Sequence, residues 1–484
     1  MSRESSLSVF VLITFQIVFS INSSTSEAKD LTAVLQQGLT LSFPTAQVST
    51  KDFALQAAPA FAGAISQAVT QEFPHASVAP AFAFQYNPAL SVFERTTSVP
   101  GPLFSERALP LGKGQLNFGV AYSYIDFSEL NGTDLDNLSS SALLLDPTLK
   151  EAVPFLRAQG LFAAPIVLST LRTKLDLQVH VAVPTLRYGI TNDWDVSLAV
   201  PILNTALRVK TATIPVAVAA PANNAAYFYA KRTDGSLPDV GLRKLSCSTN
   251  CDQFGLAPVE LKDLTFIKAR NATRILSSAR GSATGVGDIV LRSKYRLWDN
   301  GLGGAALGLN LQLPSGEQKD LQGTDETHLS TFLYLSQVFG ERIEPHLNVG
   351  IDFNADEVDR SSFLYAVGAS FLVWQQLGLT VDFIGRSEFN GFSVKASQPL
   401  LAGVQLDKGV SGQCTTEQPC RVSADGTVKV FPETIKRNDI VDFSFGVRYG
   451  LGTSGSLFFG GIVPLNDDGF RADFIPSGGL EYTF

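Results

Sequence analysis

Three cations occupy every second position of "GDIVLRSKYRL": Arg292, Lys294 and Arg296. An extended chain sends alternate side chains to the same face, so a strand here carries three stacked positive charges. Such a ladder repels itself unless acids such as Asp288 and Asp382, or an anionic solute, sit opposite. The same reading along the chain collects Arg172, Lys174, Arg386 and Arg448 on polar strand faces. It also collects Asp176, Asp195, Asp288, Glu344, Asp352, Asp382, Asp442 and Glu481. A ring of one charge sign would point to ion selectivity, but this set is balanced. It reads either as an ion-pair network filling a narrow interior, where each buried charge needs a partner, or as a polar passage whose opposed charges orient a small solute. His346 shares a face with Glu344 and Asn348. Neighbours two apart on a strand are about 7 Å apart, too far for direct bonds. No serine sits in a Gly-x-Ser-x-Gly elbow. No catalytic group, metal ligand set or cofactor is assigned.

The elements that carry these residues are strands. "QLNFGVAYSY" sets Leu116, Phe118, Val120, Tyr122 and Tyr124 against Gln115, Asn117 and Ser123. "TKLDLQVHVAV" sets Leu175, Leu177, Val179, Val181 and Val183 against Lys174, Asp176, Gln178 and His180, which assigns the charged side to the interior. "WDVSLAVPI", "AALGLNLQL", "IEPHLNVGIDF", "LTVDFIGR" and "VDFSFGVRY" alternate in the same way. Twelve such segments fit between residue 114 and the end. Segments of roughly 9–11 residues with one apolar and one polar face are the signature of a transmembrane β-barrel. The soluble rival, a secreted sandwich, also alternates, but it does not require the loop order seen here.

Short links such as "GITNDWD", "LWDNGLGG" and "VFGERI" alternate strictly with long ones at 128–170, 205–286, 314–328, 354–361, 387–439 and 466–474. Outer-membrane barrels have short periplasmic turns and long extracellular loops. The chain should therefore be all-β: an antiparallel up-and-down barrel spanning 113–484. Trp194, Tyr295, Tyr449, Tyr482 and Phe484 lie on apolar faces near short turns, as a periplasmic aromatic rim does. Residues 1–28 read as a signal peptide, with an apolar run at Leu7–Ile21 too short to span a bilayer. Export places Cys247, Cys251, Cys414 and Cys420 where disulfides survive. The two local pairs are favoured among three connectivities. Residues 29–112 break the barrel rhythm. "KDFALQAAPAFAGAISQAVTQEF" is partly helical with Pro59 interrupting it, and the remainder is Pro/Gly-punctuated. This segment reads as a plug or periplasmic extension. Its alternative, strands at 78–86 and 90–98, would raise the barrel to 14 strands. The formal charge of −8 includes no basic block of the kind that binds nucleic acid.

The stretches "GPLFSERALPLGKGQLNFGVAYSYIDF", "VAVPTLRYGITNDWDVSLAVPIL", "GVGDIVLRSKYRL", "LQLPSGEQKDLQGTD" and "VPLNDDGFRADFIPSGGLEYTF" together resemble the meta-pathway phenol-degradation family of outer-membrane transporters. The resemblance implies a barrel in the Gram-negative outer membrane that admits small, often aromatic, compounds. It also implies that the terminal Phe484 strand addresses the barrel-assembly machinery. The expected partners are outer-membrane lipid, that machinery and a small-molecule solute. The expected work is passive or facilitated passage of the solute. The rivals are a closed barrel whose external loops bind a partner, and an envelope hydrolase.

Overall fold

The structure is a computed structural model. It describes residues 30–43, 48–49, 51–71, 84–87, 92–95, 99–145, 161–163, 166–220, 228–230, 265–268, 275–389, 420–421, 439–452 and 454–484. The segment read as a signal peptide, and most of the links 205–286 and 387–439, lie outside the described residues.

Twelve antiparallel strands close into a barrel. They are β1 (Leu116–Leu130), β2 (Ile166–Gly189), β3 (Trp194–Ala199 and Ile202–Ala220), β4 (Ile275–Val286 and Ile289–Asp299), β5 (Gly303–Leu313) and β6 (His328–Gln337). β7 (Ile343–Asn354), β8 (Ser362–Trp374), β9 (Leu377–Glu388), β10 (Ile440–Leu451), β11 (Gly455–Pro464) and β12 (Phe470–Ala472 and Ile475–Thr483) complete it. β12 pairs with β1, for example Tyr482 opposite Phe118, and this closes the ring. Closure pairs the lower wall on both sides of each strand, the condition a sheet must meet inside a bilayer; above it, Ile275–Val286 is paired with β3 alone among the described residues. The short turns are where the sequence puts them. In "DNGL", Gly301 takes φ 82°, a left-handed conformation that glycine adopts without steric cost.

The outer face of the lower barrel is apolar. Leu307, Leu309, Leu333, Leu347, Ile351, Val367, Phe383, Phe445 and Phe459 are exposed there, and inward neighbours such as Asn310, Asn348, Asp382 and Ser444 are polar. Among the described residues, no helix is long and apolar enough to cross a membrane.

β2 and β3 depart from expectation. They run past the expected boundaries, β2 back to Ile166 and β3 on to Ala220. The side-chain parity holds from Arg172 to Tyr188 and from Trp194 to Ala212, but the polarity of the two faces swaps. At the bottom of β2, Leu186 and Tyr188 face out while Thr185 and Arg187 face in. Above Pro184, Leu175, Leu177, Val179 and Val181 face in and are buried, and Lys174, Asp176, Gln178 and His180 face out. β3 does the same: Trp194 to Ile202 are apolar outside, whereas Leu203, Leu207 and Val209 are buried inside.

What the upper apolar lining meets is the N-terminal segment. α1 (Leu31–Leu39) starts at Asp30, whose side chain caps it by accepting from the Ala33 N–H. α1 packs on β3 and β4: Gly38 lies so close to Val209 that an added Cβ would stand 2.4 Å from its Cβ. Leu31, Val34, Leu35 and Leu39 join one apolar core with Leu175, Val179, Leu203 and Leu207. α2 (Lys51–Gln71) contributes Phe61, Ile65 and Val69 to that core. It continues through Pro59 rather than breaking there. The proline is exposed, while Ala58 and Phe61 hold the flanking turns to the core. Among the described residues, the segments Phe84–Asn87 and Val92–Arg95 pair only with each other, outside the barrel sheet.

Candidate functional site: the plugged lumen

Residues 99–111 run through the half of the lumen nearer the short turns and are almost wholly buried. A Pro/Gly-punctuated strip forms no regular element, so its backbone groups need partners from the wall. The wall provides them. Asn348 on β7 accepts from the Glu106 N–H (3.0 Å) and donates to the Glu106 carbonyl (2.8 Å). Ser336 on β6 accepts from the Ala108 N–H, and Asp195 on β3 accepts from that of Leu111. Arg448 on β10 donates to the Pro102 carbonyl at 3.0 Å while it holds Glu481 of β12 at 2.8 Å. Its guanidinium also lies over the Phe458 ring, 5.4 Å from the centroid.

Glu106 is the electrostatic centre of this strip. Its carboxylate meets Arg187 of β2 at 3.0 Å, Lys294 of β4 at 3.1 Å and Arg292 of β4 at 3.9 Å. Burial pushes the Glu106 carboxyl up. The positive field of Arg187, Lys294 and Arg292 outweighs that and holds it at about 2. The partner of the Arg292–Lys294 ladder is therefore neither Asp288 nor Asp382 but an acid from outside the barrel rhythm. Next to it, Arg107 meets Glu344 of β7 at 3.1 Å, with both side chains at 1% exposure or less.

Ser105, Asp382 and His346 also come together. The Ser105 hydroxyl donates to Asp382 Oδ1 at 2.7 Å, and His346 Nε2 lies 2.5 Å from the same oxygen. A hydrolytic triad places the histidine between serine and acid. Here the carboxylate is in the middle and the serine is bonded to it, an arrangement that anchors the strip rather than activating a nucleophile.

The remaining inward residues tie loops to the wall or strand to strand within it. Asp288 accepts from the Gly316 and Thr324 N–H groups and from the Thr324 hydroxyl. Arg386 lies 3.5 Å from Asp352, and Asp442 pairs with Arg471. Arg296 reaches Asp193 and Asp299, both at 2.6 Å, at the short turns. Arg172 and Lys174 are on the outside of β2, above the polarity swap, and Lys174 pairs there with Asp136 at 2.5 Å. A single polarity along β2 would turn these two residues, with Asp176 and His180, inward; the swap above Pro184 turns them out. The sequence places Asn348 on the polar face but assigns no role to Glu106, Arg107 or Arg187. Their signal was available: Glu-Arg in an otherwise apolar strip, beside an unpaired basic ladder.

Trp194, Tyr295, Tyr449, Tyr482 and Phe484 all lie on the outer face near the short turns. Trp194 stands opposite Tyr295, its indole donating to Ser293 at 2.9 Å, and the Tyr482 and Phe484 rings are 4.7 Å apart. Cys247, Cys251 and Cys414 lie outside the described residues. Of Cys420 only the backbone, paired with Phe266, is described.

Residues 242–398 match the family model for the "Putative MetA-pathway of phenol degradation". This is the family that the quoted motifs resemble. No curated protein matches the chain. Among solved structures, a COG4313 outer membrane channel from Pseudomonas putida F1 aligns over 78% of this chain and 98% of its own, at 12% identity and a TM-score of 0.39. A Pseudomonas aeruginosa FadL homologue aligns over 77% and 90%, at 9% identity and a TM-score of 0.29. The P. putida toluene transporter TodX aligns over 76% and 89%, at 10% identity and a TM-score of 0.27.

Proposed function

We propose that the chain is an outer-membrane channel for a small, apolar or aromatic solute, held shut by its own N-terminal segment. The observation that carries this reading is the nature of the filling. Interior side chains can fill a barrel of about eight strands by themselves, but a wider one encloses space. Here that space holds a separate strip of chain, attached by ion pairs and hydrogen bonds and continuous with the wall only at β1. A barrel built only to display loops has no need of a detachable filling. The apolar solute class follows from the phenol-degradation match and from the aromatic-hydrocarbon channels among the structural neighbours. It is also in keeping with the apolar upper lining. The work is passage, without catalysis or cofactor. Export through a cleaved leader at 1–28 and assembly through the Phe484 strand belong to the same reading.

The test is conductance in planar bilayers together with liposome uptake of a monoaromatic hydrocarbon and of a sugar of similar size. The full chain should conduct weakly. The Glu106→Gln variant should conduct more and pass the aromatic faster than the sugar. Equal, negligible flux of both solutes through both proteins would leave the loop-displaying barrel as the better account.

A further inference from the structure

Above the polarity swap, the outer wall of β2, β3 and β4 carries cations that the lumen chemistry does not use. The apolar outer face ends at one register row on all three strands: His180, Asn204 and Thr284 stand side by side. Asn204 donates to Thr284 at 2.6 Å, and Tyr122 and His180 share a 2.7 Å hydrogen bond. This row marks the upper edge of the lipid belt. Four residues further, about 13 Å along a strand, Asp176, Arg208 and Arg280 form a row. The next row is Lys174, Lys210 and Ser278.

Two like-charged pairs therefore stand directly opposite each other across strands, Arg208 with Arg280 and Lys210 with Lys174. Opposed like charges destabilise a bare sheet. Acids on the β2 side offset only part of this, since Lys174 meets Asp136 and Arg208 lies 3.8 Å from Asp176. Lys210 and Arg280 are exposed and form no ion pair among the described residues. The inward neighbours Leu207 and Val209 are locked in the α1 core, so this basic face cannot turn inside.

We infer that this face binds the phosphate groups of the lipopolysaccharide that forms the outer leaflet. Adjacent guanidinium and ammonium groups, about 13 Å along the strands from the edge of a hydrocarbon belt, match phosphates carried on the sugars above the acyl chains. The inference rests on the outer-membrane reading above.

The test uses detergent-folded full chain and fluorescent rough lipopolysaccharide, either bisphosphorylated or enzymatically dephosphorylated, titrated by anisotropy. The wild type should bind the phosphorylated form at least about tenfold more tightly than does a variant combining Arg208→Gln, Lys210→Gln and Arg280→Gln. Dephosphorylated lipid should bind both alike, and Lys210→Arg should keep wild-type affinity. Indifference of the wild type to phosphate removal would overturn the inference without any variant, as would equal affinity of wild type and triple variant. Insertion of the wild type into phosphatidylcholine vesicles separates the two readings. A protein that inserts but ignores phosphate loses only this site, whereas one that never inserts loses the membrane assignment as well.

Discussion

Glu106 is one carboxylate facing three wall cations, and the balance is asymmetric. Substituting it removes the carboxylate nearest Lys294 and leaves Arg187 with Asp195 at 4.0 Å in place of Glu106 at 3.0 Å, a loss of about 3–5 kcal/mol for a buried pair broken on one side. Glu106→Gln should therefore unseat the strip and raise single-channel open probability. Its pH dependence has a definite sign. The carboxyl is held at about 2, below its ordinary 4.5, so its contribution is complete above the ordinary value and drains away as pH falls towards the lower one. Conductance of the wild type should rise on acidification through that window, and Glu106→Gln should lack the rise. Arg107 and Glu344 behave differently, because each is the other's buried counter-charge. Arg107→Met alone should lower the thermal midpoint markedly, and adding Glu344→Gln should recover most of it. If the double variant were no more stable than the single one, the coupling of Arg107 to Glu344 would be refuted.

At the level of elements, the seating of α1 turns on Gly38, which lets the helix backbone approach Val209. Gly38→Val should lift α1 from β3 and expose Leu31 and Leu35, read as increased protease cleavage near the N-terminus with the barrel intact. Unchanged cleavage would show that α1 does not depend on that contact. The strands themselves were legible, since a bilayer outside and polar groups inside impose a clean alternation on β5 to β10. β2 and β3 were legible as strands but not in orientation. Alternation reveals two faces and says nothing about which solvent each meets. Above Pro184 the outside is aqueous and the inside is helix, so the identical pattern carries the opposite meaning. Local periodicity could place neither α1 nor the strip 99–111 inside the barrel. Their partners are up to hundreds of residues away, as with Ser105 and Asp382.

The whole molecule is thus two different solvation problems stacked along one wall. Around Trp194, Leu307 and Phe445 the outer surface faces hydrocarbon, and little apolar surface leaves water when the wall forms. Around Val209, Leu177 and Leu35, apolar groups are withdrawn from water on a soluble-protein footing. Only burial of the second kind leaves a large heat-capacity increment on unfolding. Calorimetry in detergent should therefore resolve an early, strongly curved transition that Gly38→Val lowers. A later transition, set by the hydrogen-bonded ring, should be unmoved by that change. A single melt shifted as a whole would mean that the two levels are one cooperative unit. If they separate, cooling and chaotropes become a handle on the cap alone, able to loosen it while the cylinder beneath stays sealed in its bilayer.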